Sequence, residues 1–149
     1  MRLPGDYEGA RTSDNTGRQF ITYAAWNSTF SKWQTLPMQR NIIETYCTKN
    51  KISYNDYLTD NEHMDWQPAL EHHIRQRPDG IVMCSMYSLT DDPVRRNELM
   101  QLALDYGVEL HFANELTSLK TKEDLERIKT YLDFAVLKSG PYVWETDDK

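Results

Sequence analysis

Short apolar segments rich in β-branched and aromatic residues alternate four times with longer amphipathic segments, and this alternation constrains the fold more than any other feature. The short segments are typical of buried strands, and apolar residues recurring every three or four positions are typical of helices. Strands that alternate with helices form parallel sheets through right-handed crossovers. We therefore predict a single α/β domain with a four-stranded, mainly parallel sheet of order 2-1-3-4 and helices on both faces. The strands are predicted near residues 19–24, 52–57, 80–85 and 108–113.

Local signals mark where the predicted helices begin and end. Thr35 can cap the first helix, and Asp92 followed by Pro93 is a strong start for the third. Gly107 stands where a helix commonly ends in a left-handed residue. Thr121, with an acidic residue three positions later, can cap the last helix. These boundaries fit between the four predicted strands.

The charge balance bears on the partners of the protein. The chain has 149 residues, enough for one domain with a real core, and carries 17 Lys and Arg against 23 Asp and Glu. A net charge of −6 is unfavourable for a protein that acts on nucleic acid or on an anionic membrane. No segment approaches the ~20 apolar residues of a membrane span, and the first residues lack the apolar stretch of a signal peptide. We predict a cytoplasmic protein with no nucleic-acid partner, no membrane span and no cofactor.

Composition divides the chain into three parts. Residues 1–17 are polar and contain three glycines and a proline, which predicts a flexible N-terminal segment. Residues 18–137 carry the strand and helix patterns and form the predicted domain, and residues 138–149 form an irregular tail. Cys47 and Cys84 are isolated within apolar patterns, so they are interpreted as structural thiols, and no metal site is predicted.

Polar residues follow three of the predicted strands at the point where each strand ends. In open α/β sheets the ligand crevice lies beyond the carboxyl ends of the strands, so these residues are expected to converge there. The first helix begins at the same end and offers its N-terminus to an anion. The substrate-binding candidates are Asn27, Ser28, Gln39, Arg40, Ser85, Tyr87 and Ser88.

His111 and Glu115, in and after the last predicted strand, are the catalytic candidates. A histidine titrates near neutral pH and suits proton transfer, and Glu115 can orient it or accept a bond from a ligand hydroxyl. Each candidate also has a structural interpretation. His111 can be a hydrogen-bonded core residue, Glu115 a solvated carboxylate, and the strand-end hydroxyls turn and capping groups.

The order of these segments is similar to that in the catalytic domain of small serine recombinases, which implies a resolvase-like or flavodoxin-like fold. The matching segments are "FITYA", "QRNIIETYC", "WQPALEHHI", "DGIVMCSMYSL" and "GVELHFANE". The recombinase chemistry is not implied. The family's Tyr-x-Arg-x-Ser pattern is replaced by Tyr23-Ala24-Ala25-Trp26-Asn27, and its arginine-rich segment by residues 86–90. Strand transfer needs cations around the phosphodiester, and these are missing.

The sequence resembles more specifically the family of sporadic carbohydrate cluster proteins. This resemblance rests on "ITY", "LPMQRNIIETYC", "DGIVMCSMYSL" and "ELHFANE", and spans most of residues 18–137. It implies a role in bacterial surface-carbohydrate biosynthesis, in which the strand ends bind or modify a sugar or nucleotide sugar. It supplies no reaction.

Two other functions stay open. The lack of a complete catalytic motif favours a non-catalytic partner of a glycan-pathway enzyme. Glu98 or Glu62, a carboxylate on a helix, resembles the layout of nucleoside deoxyribosyltransferases and favours an N-glycosidase or a deoxyribosyltransferase. A homodimer is expected because the last helix is rich in sizeable apolar side chains. These are Leu125, Ile128, Tyr131, Leu132 and Phe134.

Overall fold

Five strands form one sheet in the order β2-β1-β3-β4-β5, and its first four strands are parallel. The computed structural model describes residues 18–25, 34–60 and 66–139, with the backbone alone at 55–57 and 135–139. The predicted order of the four parallel strands is confirmed. The strands are β1 (Phe20–Tyr23), β2 (Tyr54–Leu58), β3 (Gly80–Met83), β4 (Glu109–Phe112) and β5 (Thr117–Leu119).

The edge strand β5 is missing from the sequence prediction. It has three residues, too few to show a strand pattern, and it runs antiparallel to β4 with Leu119 opposite Leu110. Residues 113–116 form the turn between the two strands, and Leu116 has a φ of 54°. Residues other than glycine rarely adopt this left-handed conformation. Here it lets the chain reverse within four residues. This turn carries Glu115.

The predicted helix boundaries agree with the structure where the capping residue bonds an amide close to it in the sequence. Thr35 Oγ1 accepts a hydrogen bond from the amide of Met38 at 3.4 Å, and Asp92 Oδ1 accepts one from Val94 at 2.9 Å. Gly107 ends a helix with a φ of 71°. None of the described helices is long and apolar enough to cross a membrane. The helices are α1 (Leu36–Lys49), α2 (Pro68–Arg75), α3 (Pro93–Tyr106) and α4 (Lys122–Ser139).

The sheet separates two apolar clusters. On one face, α2, α3 and α4 pack over a core that includes Ile81, Leu110 and Ile128. On the other face, α1 places Ile43 against Phe20 in a smaller cluster. Helices therefore cover both faces, as predicted, and α1 is the one described helix on the second face. The predicted flexible segment at 1–17 and residues 140–149 of the predicted tail lie outside the described residues.

Gly80 lies against a buried phenyl ring. A Cβ at this position would stand 2.8 Å from Cδ2 of Phe20, whose side chain is 2% exposed. We expect Gly80→Ala to lower the free energy of unfolding by about 1–3 kcal/mol, because the enclosed ring has little room to move. Urea denaturation measures the loss. The control is Gly80→Ala in a chain that also carries Phe20→Leu. An equal loss of free energy of unfolding with and without Phe20→Leu would exclude a clash with the phenyl ring as its cause.

Candidate functional site

The end of β3 holds a serine and a glutamate in direct contact. Ser85 Oγ donates a 2.6 Å hydrogen bond to Glu115 Oε2 and accepts one from the amide of Tyr87 at 3.1 Å. The second bond caps a single 3-10 turn at Met86–Ser88. Glu115 Oε1 accepts from the amide of Met86 at 3.0 Å. The parallel order of β3 and β4 thus brings together two predicted site residues that are 30 positions apart.

Glu115 keeps free acceptor capacity. A carboxylate has about four lone-pair positions, and the described residues fill one on each oxygen. The side chain is half-buried, so an incoming hydroxyl can reach it. A carboxylate held in place by an internal serine is suited to accept hydrogen bonds from a polyhydroxylated ligand.

Tyr87 adds a partly exposed aromatic ring beside this pair. Its side chain is 36% exposed and is hydrogen-bonded to Tyr131, which is 50% exposed. Burial, followed by the bond with Tyr131, raises the pKa of Tyr87 to about 12, and the nearby Arg96 acts in the opposite direction. Tyr87 therefore stays uncharged at neutral pH and presents a partly exposed phenol beside Tyr131.

Arg96 is a buried cation that the sequence analysis missed. Its residue is 6% exposed, and Nε has no hydrogen-bond partner among the described residues. Its ion pair is long, with Nη2 3.6 Å from Asp133 Oδ1, and that carboxylate is 55% exposed. Arg96 also lies in the first turn of α3, where the helix dipole disfavours a cation. No local signal predicts its burial, because an arginine at a helix start is normally solvated.

Arg95, which precedes Arg96 in the chain, uses its guanidinium in contacts within the protein. Nη2 bonds Glu71 Oε1 at 2.6 Å, and Nε donates to the carbonyl of Trp66 at 2.7 Å. The guanidinium stacks over the Trp66 ring at 5.1 Å. Glu98, the carboxylate of the deoxyribosyltransferase alternative, is 54% exposed and pairs with Arg95 at 3.3 Å. Glu62 lies outside the described residues.

The remaining predicted ligand-binding residues differ in their placement. Gln39 is fully buried, and its amide bonds both the N–H and the carbonyl of Ala25 at 2.8 Å. This clamp fixes the end of β1. Arg40 is exposed on α1, while Ser88 is buried and its Oγ has no partner in the part of the chain that is described. Both Asn27 and Ser28 lie outside the described residues.

A second, buried hydrogen-bond network lies at the carboxyl ends of β1 and β3. Tyr23 Oη donates to Asp60 Oδ2 at 2.7 Å and accepts from Gln67 Nε2 at 3.1 Å. Gln67 also binds the loop after β3, through the carbonyl of Ser88 at 2.9 Å and the amide of Thr90 at 2.7 Å. Burial and the Asp60 carboxylate raise the pKa of Tyr23 well above its ordinary value. This network ties β1, α2 and the β3 loop together.

His111 lies on the face of the sheet that α1 covers. Glu115 was expected to orient it, but the described hydrogen-bond partners of His111 are Tyr46 and Glu109. Its Nε2 is 2.8 Å from Glu109 Oε1, and its Nδ1 is 2.8 Å from Tyr46 Oη. Glu109 is therefore the residue that orients it, and Glu115 is paired with Ser85 instead. Strand alternation places residues 109 and 111 on one face, so this pair was readable from the sequence. A proton-transfer role for His111 stays a prediction.

Potential metal ligands are dispersed in the described part of the chain. No group of three or more His, Cys, Asp or Glu side chains there could hold a metal ion. Cys47 and Cys84 are buried free thiols, and burial is the main cause that raises the pKa of each to about 12. Both thiols are protonated and unreactive at neutral pH.

Solved structures that share this fold come from recombinases and an integrase. The N-terminal catalytic domain of TP901-1 integrase matches with a TM-score of 0.60 and 13% identity, over 78% of this chain and 92% of that one. A resolvase family site-specific recombinase from Streptococcus pneumoniae matches with a TM-score of 0.57 and 11% identity, over 87% and 95%. The C-terminal catalytic domain of ISC1926 TnpA, an IS607-like serine recombinase, gives 0.50 and 20%, over 79% and 83%.

These likenesses define the class of the fold. The chain is a resolvase-like α/β domain, with a mostly parallel sheet and helices on both faces. At 11–20% identity the comparison shows the fold alone. No protein-family model matches the sequence, and no curated protein matches it.

Proposed function

We propose that the protein binds a phosphorylated sugar or a nucleotide sugar at the carboxyl ends of β3 and β4, as a cytoplasmic protein of bacterial surface-carbohydrate biosynthesis. The observation that carries the proposal is the contact between Ser85 and Glu115. Two groups from separate strand ends meet at 2.6 Å with acceptor capacity to spare. Sugar hydroxyls are the donors that such a carboxylate recognises.

The neighbouring side chains supply the rest of the ligand chemistry. Tyr87 and Tyr131 present partly exposed rings on which a sugar or a base can lie. The contact of Arg96 with the exposed carboxylate of Asp133 is long. A phosphate would pair with the Arg96 guanidinium better than this carboxylate does. The ligand therefore carries both hydroxyls and a phosphate.

Family resemblance supports the same assignment. The segments shared with the sporadic carbohydrate cluster proteins include "DGIVMCSMYSL", which carries Ser85 and Tyr87, and "ELHFANE", which carries Glu115. Membership in that family is part of this proposal. Recombinase activity is disfavoured, because Ala25 and Asn27 stand where the recombinase pattern has arginine and serine, and the net charge is −6.

A thermal-shift panel selects the ligand class. We expect sugar phosphates and nucleotide sugars to raise the melting temperature, since a ligand at 100 times its Kd adds about 2.7 kcal/mol to the native state. Free sugars are expected to act weakly because they lack the group that Arg96 binds. Nucleosides alone as active ligands would favour the deoxyribosyltransferase alternative. No shift with any compound, together with co-purification of a glycan-pathway enzyme, would favour a non-catalytic partner.

A homodimer through α4 is a second proposal, and two exposed aromatic residues favour it. Leu125, Ile128 and Leu132 are buried in the domain core, whereas Tyr131 is 50% and Phe134 59% exposed. We expect light scattering at micromolar concentration to report a dimer, and Phe134→Ser to shift the population towards monomer. A wild-type chain that is monomeric under these conditions would refute the dimer.

A further inference from the structure

A cavity of about 490 Å³ lies between α1 and the β4–β5 turn, away from the Ser85–Glu115 pair. Ile42, Tyr46 and Lys49 line it from α1, and Ala113 and Leu116 line it from the turn. Its size is in the range of small-molecule sites, roughly 300–1,000 Å³. The turn separates this cavity from the strand-end site, because Leu116 borders it while the preceding side chain bonds Ser85.

The lining has one sign of charge. Lys49 is the cation, and Asn41, Thr45 and Asn50 add amide and hydroxyl groups. The Thr45 hydroxyl donates to the carbonyl of Asn41 at 2.9 Å and the Asn50 amide to that of Tyr46 at 2.8 Å, so these two groups offer a ligand mainly their remaining capacity. None of the described residues that line the cavity is acidic. Such a lining attracts an anion and offers polar groups to fix its orientation.

Tyr46 connects the cavity to a half-buried relay of hydrogen bonds. Its hydroxyl lies 2.8 Å from His111 Nδ1, and His111 Nε2 lies 2.8 Å from Glu109 Oε1. Arg18 pairs with the second oxygen of Glu109 at 2.8 Å. The bond with His111, and more weakly the charge of Arg18, hold the pKa of Glu109 at about 2, against the opposing effect of burial.

This relay fixes the position of each proton. Glu109 is ionised and can only accept, so Nε2 of His111 carries the hydrogen. In the neutral imidazole Nδ1 is then the acceptor, and Tyr46 donates its O–H to it. Burial, with smaller effects of Cys47 and Glu109, raises the pKa of Tyr46, so this proton is retained at neutral pH. A ligand that reaches the phenol oxygen from the cavity therefore meets it as an acceptor only.

We propose that this cavity is a second ligand site for a small hydroxylated anion, in which Lys49 binds the anionic group and the Tyr46 oxygen accepts a hydrogen bond from a ligand hydroxyl. His111 is 7% exposed and acts through Tyr46, so it is a positioning residue. Glu109 and Arg18 hold His111 in the required tautomer.

Three compounds test the proposal on the isotope-labelled full chain by nuclear magnetic resonance. D-gluconate has both the charge and the hydroxyls, hexanoate has the charge alone, and glucose has the hydroxyls alone. We expect gluconate to shift the amide signals of residues 41–50 and to bind about tenfold more tightly than either of the others. Signals around Ser85 report any binding at the strand-end site separately.

Two substitutions separate the contributions. Tyr46→Phe removes the acceptor for the ligand hydroxyl, so it should abolish the preference for gluconate over hexanoate. Lys49→Met removes the cation, so it should abolish the preference for gluconate over glucose. Lys51→Met is the matched control, since Lys51 is exposed and does not line the cavity, and it should change neither ratio. The proposal is overturned if gluconate leaves residues 41–50 unshifted at millimolar concentration, or if Tyr46→Phe keeps the gluconate preference. In either case the relay only satisfies a buried histidine.

Discussion

Asp60→Ala is expected to lower the free energy of unfolding by about 3 kcal/mol or more. The Asp60 carboxylate is 3% exposed and accepts three hydrogen bonds, from Tyr23 Oη at 2.7 Å, Ala69 N at 2.6 Å and Leu70 N at 3.2 Å. Two of these donors are orphan amides of the first turn of α2, whose N-cap residue Gln67 makes no side-chain cap of its own. Each buried donor without a partner costs about 1–3 kcal/mol.

Urea denaturation compares this variant with two controls. Tyr23→Phe removes one donor to Asp60 and one acceptor for Gln67 but leaves the α2 amides bonded, so it should cost about 1–2 kcal/mol. Asp105→Ala removes an exposed carboxylate that accepts from Gln101 at 2.9 Å, and it should change stability by less than about 0.5 kcal/mol. A loss from Asp60→Ala no larger than that from Asp105→Ala would show that the network does not hold α2 in place.

Arg96→Met is expected to move stability and ligand affinity in opposite directions. Arg96 is a buried cation with a 3.6 Å ion pair, and its Nε has no hydrogen-bond partner among the described residues. Removing it relieves a desolvation cost, so the ligand-free protein should gain about 1–2 kcal/mol. Affinity for a sugar phosphate should fall about 100-fold, since the charge-assisted bonds to phosphate are lost. Affinity for the unphosphorylated sugar should not change.

The control for this experiment is Arg127→Met on the exposed side of α4. Arg127 is 55% exposed and pairs with Asp124 at 2.8 Å, so its loss should affect neither quantity strongly. If Arg96→Met instead destabilised the protein and left phosphate affinity intact, Arg96 would be a structural residue that holds α3 against α4.

Features that depend on neighbouring residues were predictable from the sequence. Thr35 and Asp92 cap helices through amides two or three positions away, and Gly107 supplies the left-handed conformation that ends α3. The order of the parallel strands followed from the alternation of strands and helices, which admits few right-handed arrangements. The three-residue strand β5 was missed because it is too short to show a period.

Features that depend on distant partners were not predictable. Ser85 and Glu115 were expected near one another because both follow parallel strands, but their direct bond depends on the β4–β5 turn. Gln39 was expected to face a ligand and instead clamps the backbone of Ala25. Arg96 is typical of an exposed helix start in the sequence, yet it is buried and lies 3.6 Å from Asp133 of α4.

Isothermal titration of a sugar phosphate or nucleotide sugar selected by the thermal-shift panel tests the central proposal most directly. We expect saturable binding to the wild-type chain and a loss of affinity of about tenfold or more in Glu115→Gln, because the neutral amide accepts fewer and weaker bonds from the ligand hydroxyls. Glu126→Gln, at an exposed position of α4, should bind as the wild type does. Equal affinity in wild type and Glu115→Gln, or no binding heat with any phosphorylated sugar, would contradict the strand-end site.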